Sequence, residues 1–157
     1  MTGVEVERKF LLAAPPPGLE AHPSKRLAQG YLAIDPAGAE VRIRRKNGET
    51  LMTIKTGIGL IRGEEEFPID HERFERLWPL TAGRRVVKTR YFVPLEHGLT
   101  AEVDVYDGDL DGLVTAEIEF PDAESALAFS APEWLGRDVT GDPRYANRAL
   151  AVDGIPD

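Results

Sequence analysis

Charged and apolar residues alternate along this chain with a period of two, in one stretch after another. In Val4-Glu5-Val6-Glu7-Arg8-Lys9-Phe10, an extended chain places Glu5, Glu7 and Lys9 on one side and Val4, Val6 and Phe10 on the other. The alternation recurs in Glu40-Val41-Arg42-Ile43-Arg44, in Thr50-Leu51-Met52-Thr53-Ile54-Lys55, and where Arg62, Glu64 and Glu66 lead to Phe67-Pro68. It returns over residues 86–93, 100–106 and 115–120. The apolar positions are largely β-branched or aromatic, so each stretch predicts an amphipathic strand. Asn47-Gly48 predicts a tight hairpin, and Asp35-Pro36-Ala37-Gly38, Asp107-Gly108 and Asp111-Gly112 predict turns. Gly57-Ile58-Gly59 is a further turn; no helical pattern opens after it, so it does not read as a phosphate-binding loop.

Helical periodicity is confined to short intervals. Pro15-Pro16-Pro17-Gly18 ends the first strand, a turn or short helix is expected over 19–28, and a short strand over 30–34. Phe74, Leu77 and Trp78 predict a helix over 69–80, hastened to its end by Pro79. A second helix is expected over 122–129, with Leu127 and Phe129 among its apolar positions. Asp142-Pro143 supplies a cap and a first-turn proline for a C-terminal helix running through Leu150. Without an internal repeat or linker, residues 1–157 read as a single α+β domain.

Composition narrows the chemistry. The 157 residues are 42% hydrophobic, enough for one substantial core, and carry a formal charge of −8, which argues against nucleic acid or an anionic membrane as partner. There is no cysteine, so disulfides and thiolate chemistry are excluded, and the first residues enter a strand without a leader pattern; a cytoplasmic protein is expected. His22, His71 and His97 lack metal-ligand spacing, and Trp78 and Trp134 read as packing residues. Of the adjacent Arg84 and Arg85, at most one can point to the charged side of a strand.

Collected strand by strand, the charged face carries Glu5, Glu7 and Lys9; Arg42 and Arg44; Lys55; Arg62, Glu64 and Glu66; Lys88 and Arg90; Glu102 and Asp104; Glu117 and Glu119. The charges come in pairs of one sign, unlike the mixed signs of a solubilising surface, and the helices need an apolar sheet face to cover. The expected architecture is therefore an antiparallel closed β-barrel of about eight strands, with a charged lumen and helices packed outside. Uncompensated buried charge costs several kcal/mol, so such a lumen implies bound ions and ligand. Carboxylate pairs without histidine or cysteine suit Mg²⁺ or Mn²⁺, and clustered arginines and lysines suit a chain of phosphates.

Taken in order, these motifs resemble the CYTH superfamily, the triphosphate tunnel metalloenzymes. Glu5-Val6-Glu7-Arg8-Lys9 is similar to its E-x-E-x-K signature, Arg42 and Arg44 to its R-x-R strand, Lys55 to the lysine that follows, and Arg62, Glu64 and Glu66 to its R-x-E-x-E strand. Lys88 and Arg90, Glu102 and Asp104, and Glu117 and Glu119 match the K-x-R, E-x-D and E-x-E strands. The short chain, Tyr31 and Gly141-Asp142-Pro143-Arg144-Tyr145 look most similar to the small bacterial inorganic triphosphatases. The resemblance implies a tunnel that hydrolyses inorganic triphosphate to pyrophosphate and phosphate, with Tyr31 and Lys55 as a pair aiding water activation. On this reading Lys9, Arg42, Arg44, Lys55, Lys88 and Arg90 grip the substrate; Glu5, Glu7, Glu117 and Glu119 hold Mg²⁺ or Mn²⁺; and Glu64, Glu66, Glu102 and Asp104 are supporting carboxylates. An adenylyl cyclase, an organic triphosphatase and a polyphosphate-binding module are the alternatives. Thr100-Ala101 stands where many relatives carry tryptophan, which favours a substrate without an organic base. The apolar outer faces leave a homodimer open.

Overall fold

A computed structural model describes residues 6–56 and 63–157; Glu5, Arg62 and the Gly57-Ile58-Gly59 turn lie outside the described residues. The alternating stretches form β1 (Val6–Leu12), β2 (Ser24–Ile34), β3 (Glu40–Lys46), β4 (Glu49–Thr56), β5 (Gly63–Pro68), β6 (Arg85–Pro94), β7 (Thr100–Asp107) and β8 (Val114–Phe120), followed by a short β9 (Arg137–Asp138). They make one nine-stranded sheet in the order β5-β4-β3-β2-β6-β7-β8-β1-β9, antiparallel throughout.

This corrects the closed eight-stranded barrel: the sheet has nine strands, and among the described residues no ladder joins its edges. Both edges are poorly suited to pairing. β5 is exposed along its whole length, carries Glu64, Glu65 and Glu66, and ends in Pro68, which has no amide to donate; β9 has only 2 residues.

The start of β2 was expected as turn or helix. Lys25, Arg26, Leu27, Ala28 and Gln29 favour helix, yet only Leu19–Ala21 forms a 3₁₀ turn and the strand begins at Ser24. Pairing on both sides, with β3 and β6, overrides the local preference. A bulge between Tyr31 and Ala33 then shifts the parity of β2, so that Ile34 opposes Glu40 where Tyr31 opposes Arg42. At the β3–β4 hairpin Asn47 and Gly48 have φ of 49° and 92°, the left-handed pair that a type I′ turn needs.

The expected 69–80 helix divides. Asp70 caps α1 (His71–Leu77), its carboxylate accepting the Arg73 amide at 2.7 Å, and a 3₁₀ turn over Trp78–Thr81 follows, since Pro79 cannot continue the α-helical ladder. Phe74 and Trp78 stack at 5.3 Å. The turn lies so close to β2 that a Cβ at Gly30 would come within 2.6 Å of the Thr81 Cβ. α2 (Ala123–Ala128) is capped by Asp122, as the 122–129 helix required. At the C-terminus Asp142 caps only a 3₁₀ turn over Pro143–Tyr145, and α3 (Asn147–Asp153) starts later than predicted.

The apolar sheet face of β1, β7 and β8 carries Phe10, Leu12, Val103, Ala116, Ile118 and Phe120 into a core with Ala126 of α2. There the helix packs on the apolar face, as expected. A second core corrects the expectation that all helices lie on that side: Leu150 and Ala151 of α3, with Tyr145, cluster with Tyr31, Val86 and Tyr106. Those three sheet residues share the face of the charged set, so its end is apolar at this point and takes the helix as a cover. Among the described residues no helix is long and apolar enough to cross a membrane.

Candidate active site

In an antiparallel ladder directly opposed residues project to the same face. Register therefore brings the predicted set together: Glu64 opposes Lys55, Glu66 opposes Thr53, Thr53 opposes Arg42, and Arg42 opposes Tyr31. Farther along the sheet Arg90 opposes Asp104, Glu102 opposes Glu117, Lys9 opposes Glu117, and Glu7 opposes Glu119. Tyr31, Lys9, Arg42, Arg44, Lys55, Lys88, Arg90, Glu7, Glu64, Glu66, Glu102, Asp104, Glu117 and Glu119 thus share one face; Glu5 lies outside the described residues.

The supporting carboxylates differ in their work. Asp104, 1% exposed, accepts Lys88 Nζ at 2.8 Å and is gripped by the Arg90 fork at 2.8 and 3.0 Å. Burial alone would push its carboxyl up, but the Arg90 hydrogen bonds and the Lys88 charge outweigh it and hold the group below the usual aspartate range. Burial likewise works against the Arg90 cation, and Asp104, Glu102 and Glu117 more than restore it. Glu102 stands 3.2 Å from Arg90 Nη1. Glu66 is held below the ordinary range, first by the Thr53 hydroxyl at 2.8 Å, and receives Arg44 Nη2 at 3.0 Å. These contacts orient cations.

Two cation atoms remain for something else. Arg42 Nε and Arg44 Nε are buried without a hydrogen-bond partner among the described residues. Leaving a buried charged donor unmade costs free energy, and an anion bound on this face would satisfy both. Lys9 donates to the Tyr145 carbonyl at 2.6 Å and lies 3.6 Å from Glu117, linking the face to the C-terminal segment.

At the β1–β8 end, like charges face one another. Glu7, Glu102, Glu117 and Glu119 line a cleft of 230 Å³ together with Thr100. Directly opposed carboxylates repel unless a cation intervenes. Among the described residues no three of them form a ready metal cluster. Their chemistry nevertheless fits a hard divalent ion, since among the described residues every side-chain donor lining the cleft is a carboxylate or hydroxyl oxygen.

Tyr31 is 1% exposed, and its hydroxyl accepts Gln29 Nε2 at 3.0 Å. Among the described residues no hydrogen bond joins it to Lys55. Burial, the largest influence, raises its phenol above the ordinary tyrosine range, while Arg42 pulls the other way. Gln29, Thr53 and Glu40 were not singled out from sequence; period-two parity with Tyr31, Lys55 and Arg42 was the available signal. Arg84 and Arg85 are structural, donating to the Tyr31 carbonyl at 3.0 Å and the Trp78 carbonyl at 2.6 Å.

No family model matches the chain. It is 48% identical over 149 residues to an inorganic triphosphatase of Nitrosomonas europaea, covering 94% of this chain and 97% of that protein. An inorganic triphosphatase of Acetivibrio thermocellus is 40% identical over 155 residues, covering 94% and 93%. The solved structure of the inorganic triphosphatase NE1496 superposes with a TM-score of 0.85 at 43% identity over 99% of each chain. HpAC1 from Hippeastrum, at 16% identity and a TM-score of 0.52 over 79% of this chain and 83% of its own, shares the fold. A single face that gathers Glu7 and Lys9 of the E-x-E-x-K motif with the R-x-R, K-x-R, E-x-D and E-x-E strands, together with relatives of this identity and coverage, shows that the chain belongs to the inorganic triphosphatases of the CYTH superfamily.

Proposed function

We propose that this chain hydrolyses inorganic triphosphate to pyrophosphate and orthophosphate on the charged face of its sheet. The observation that carries the reading is the pair of buried nitrogens Arg42 Nε and Arg44 Nε, without a hydrogen-bond partner among the described residues, on the same sheet face as a cleft of opposed carboxylates. A phosphate chain supplies oxygens to such donors at several points along the face, and Arg forks match phosphate geometry. Lys55, Lys88, Arg90 and Lys9 add positive charge from other strands of the same face, so successive phosphates would be held in line. Asp104 keeps Lys88 and Arg90 aimed, and Glu66 keeps Arg44 aimed.

Glu7, Glu117 and Glu119, with Glu102 beside them and Glu5 outside the described residues, would hold Mg²⁺ or Mn²⁺. When bound, such an ion neutralises phosphoryl charge and lowers the pKa of a coordinated water. The chain's own part is to place cations where negative charge develops and to exclude competing solvent. Tyr31 and Lys55 act at the reacting phosphate. Among the described residues the acidic cleft has Thr100 and no aromatic in its lining, which favours a substrate without an organic base to stack.

The test is phosphate release from tripolyphosphate, ATP and thiamine triphosphate in parallel. Preferred turnover of tripolyphosphate, with one pyrophosphate formed per orthophosphate, is expected. Preferred turnover of either organic triphosphate would overturn the assignment.

A further inference from the structure

A phenol oxygen carries one hydrogen to donate and two positions at which to accept. At Tyr31 one accepting position is served by the Gln29 side-chain nitrogen at 3.0 Å. Gln29 is itself 7% exposed, and cross-strand pairing with Arg44 on one side and Val86 on the other fixes its backbone. The hydroxyl hydrogen is then left to point away from Gln29. Its side chain lies on the face that also carries Arg42 and Arg44, where oxygens of a phosphate chain are the matching acceptors.

We infer that Gln29 is a positioning residue, which holds Tyr31 as a hydrogen-bond donor to a phosphate oxygen rather than as a base towards water. This rests on the proposed triphosphate hydrolysis and assigns the direction of one hydrogen bond within it. A base at Tyr31 would have to be a phenolate; the buried phenol resists ionisation, although Arg42 and Gln29 partly offset that resistance. A donor needs no ionisation and works at neutral pH.

The experiment is a double-mutant cycle on tripolyphosphate hydrolysis with Tyr31→Phe, Gln29→Met and the double variant, accompanied by thermal melts. Tyr31→Phe is expected to lower kcat by about 10-fold or more. Gln29→Met, which keeps length and removes the donor, is expected to lower kcat by about 5-fold with KM little changed. In the Tyr31→Phe background it should cost nothing further, because its effect passes through the hydroxyl. Independent, additive losses would overturn the positioning role while leaving the Tyr31 reading intact. No effect of Tyr31→Phe would overturn both. Should Gln29→Met fail to fold, Gln29→Glu enters the same cycle, with loss again expected only when the Tyr31 hydroxyl is present. The wild-type kcat–pH profile is a separate check: a fall at alkaline pH is expected as the donor ionises, and a rise there would overturn the donor assignment.

Discussion

Lys88 and Asp104 form a buried ion pair at 2.8 Å, with side chains 6% and 1% exposed, and the same carboxylate accepts the Arg90 fork. Asp104→Asn would leave both cations short of their counter-charge. Breaking such a pair is expected to cost about 3–5 kcal/mol at neutral pH. Chemical denaturation would measure it, and a loss below about 1 kcal/mol would mean that the pair behaves as a surface one.

The depressed Asp104 acidity also has a pH signature. A carboxyl whose folded pKa lies below its unfolded value stabilises the fold above the unfolded pKa, and that contribution is lost as pH falls through the folded one. The wild type should therefore lose stability progressively below about pH 4, and Asp104→Asn should show a shallower acid-side slope. Equal slopes would place the acid-sensitive group elsewhere.

Arg8 interrupts the E-x-E-x-K motif but does not belong to the site. It points to the opposite face, donates to the carbonyls of Ala126 and Phe129 at 3.0 and 3.2 Å, reaches Asp138 at 2.9 Å, and lies over the Phe10 ring at 5.1 Å. Arg8→Ala should lower stability by about 2 kcal/mol, a fall in Tm of about 4–8 °C, while kcat and KM at a temperature where the variant stays folded are unchanged. A selective loss of kcat would move Arg8 into the reaction.

Much of this was legible because period-two alternation is a local property. Which of Arg42, Ile43 and Arg44 share a side follows from the sequence alone, and the ladders reproduce that division on neighbouring strands. What depended on distant segments was not legible. The start of β2 favours helix at Leu27 and Ala28 and is made a strand by β3 and β6. β9 exists because Arg137 and Asp138 find the free edge of β1, and a Cβ at Gly136 would come within 2.2 Å of the Leu11 carbonyl oxygen. Nor could the chain reveal that Tyr145 and Leu150 would cover Tyr31 on the charged face, since apolar residues do not declare which surface they will meet. The roles left open for Glu66, Glu102 and Asp104 depended on individual distances to Arg44, Arg90 and Lys88.

Arg44 should contribute to grip more than to chemistry. Arg44→Ala removes charged hydrogen bonds to the phosphate chain, so KM for tripolyphosphate should rise roughly 10- to 100-fold with a smaller change in kcat. Arg44→Lys should recover only part of the loss, because a point charge cannot reproduce the fork. Full recovery by lysine would reduce the role of Arg44 to charge alone.

Phosphate release from tripolyphosphate, followed with Mg²⁺ or Mn²⁺ and after exhaustive chelation, most directly tests whether the opposed carboxylates of Glu7, Glu117 and Glu119 serve a divalent ion beside the phosphate-gripping cations. Turnover should be lost on chelation and restored by the added ion, and Glu7→Gln should lower it with little change in Tm. Undiminished hydrolysis in the chelated protein would contradict the account.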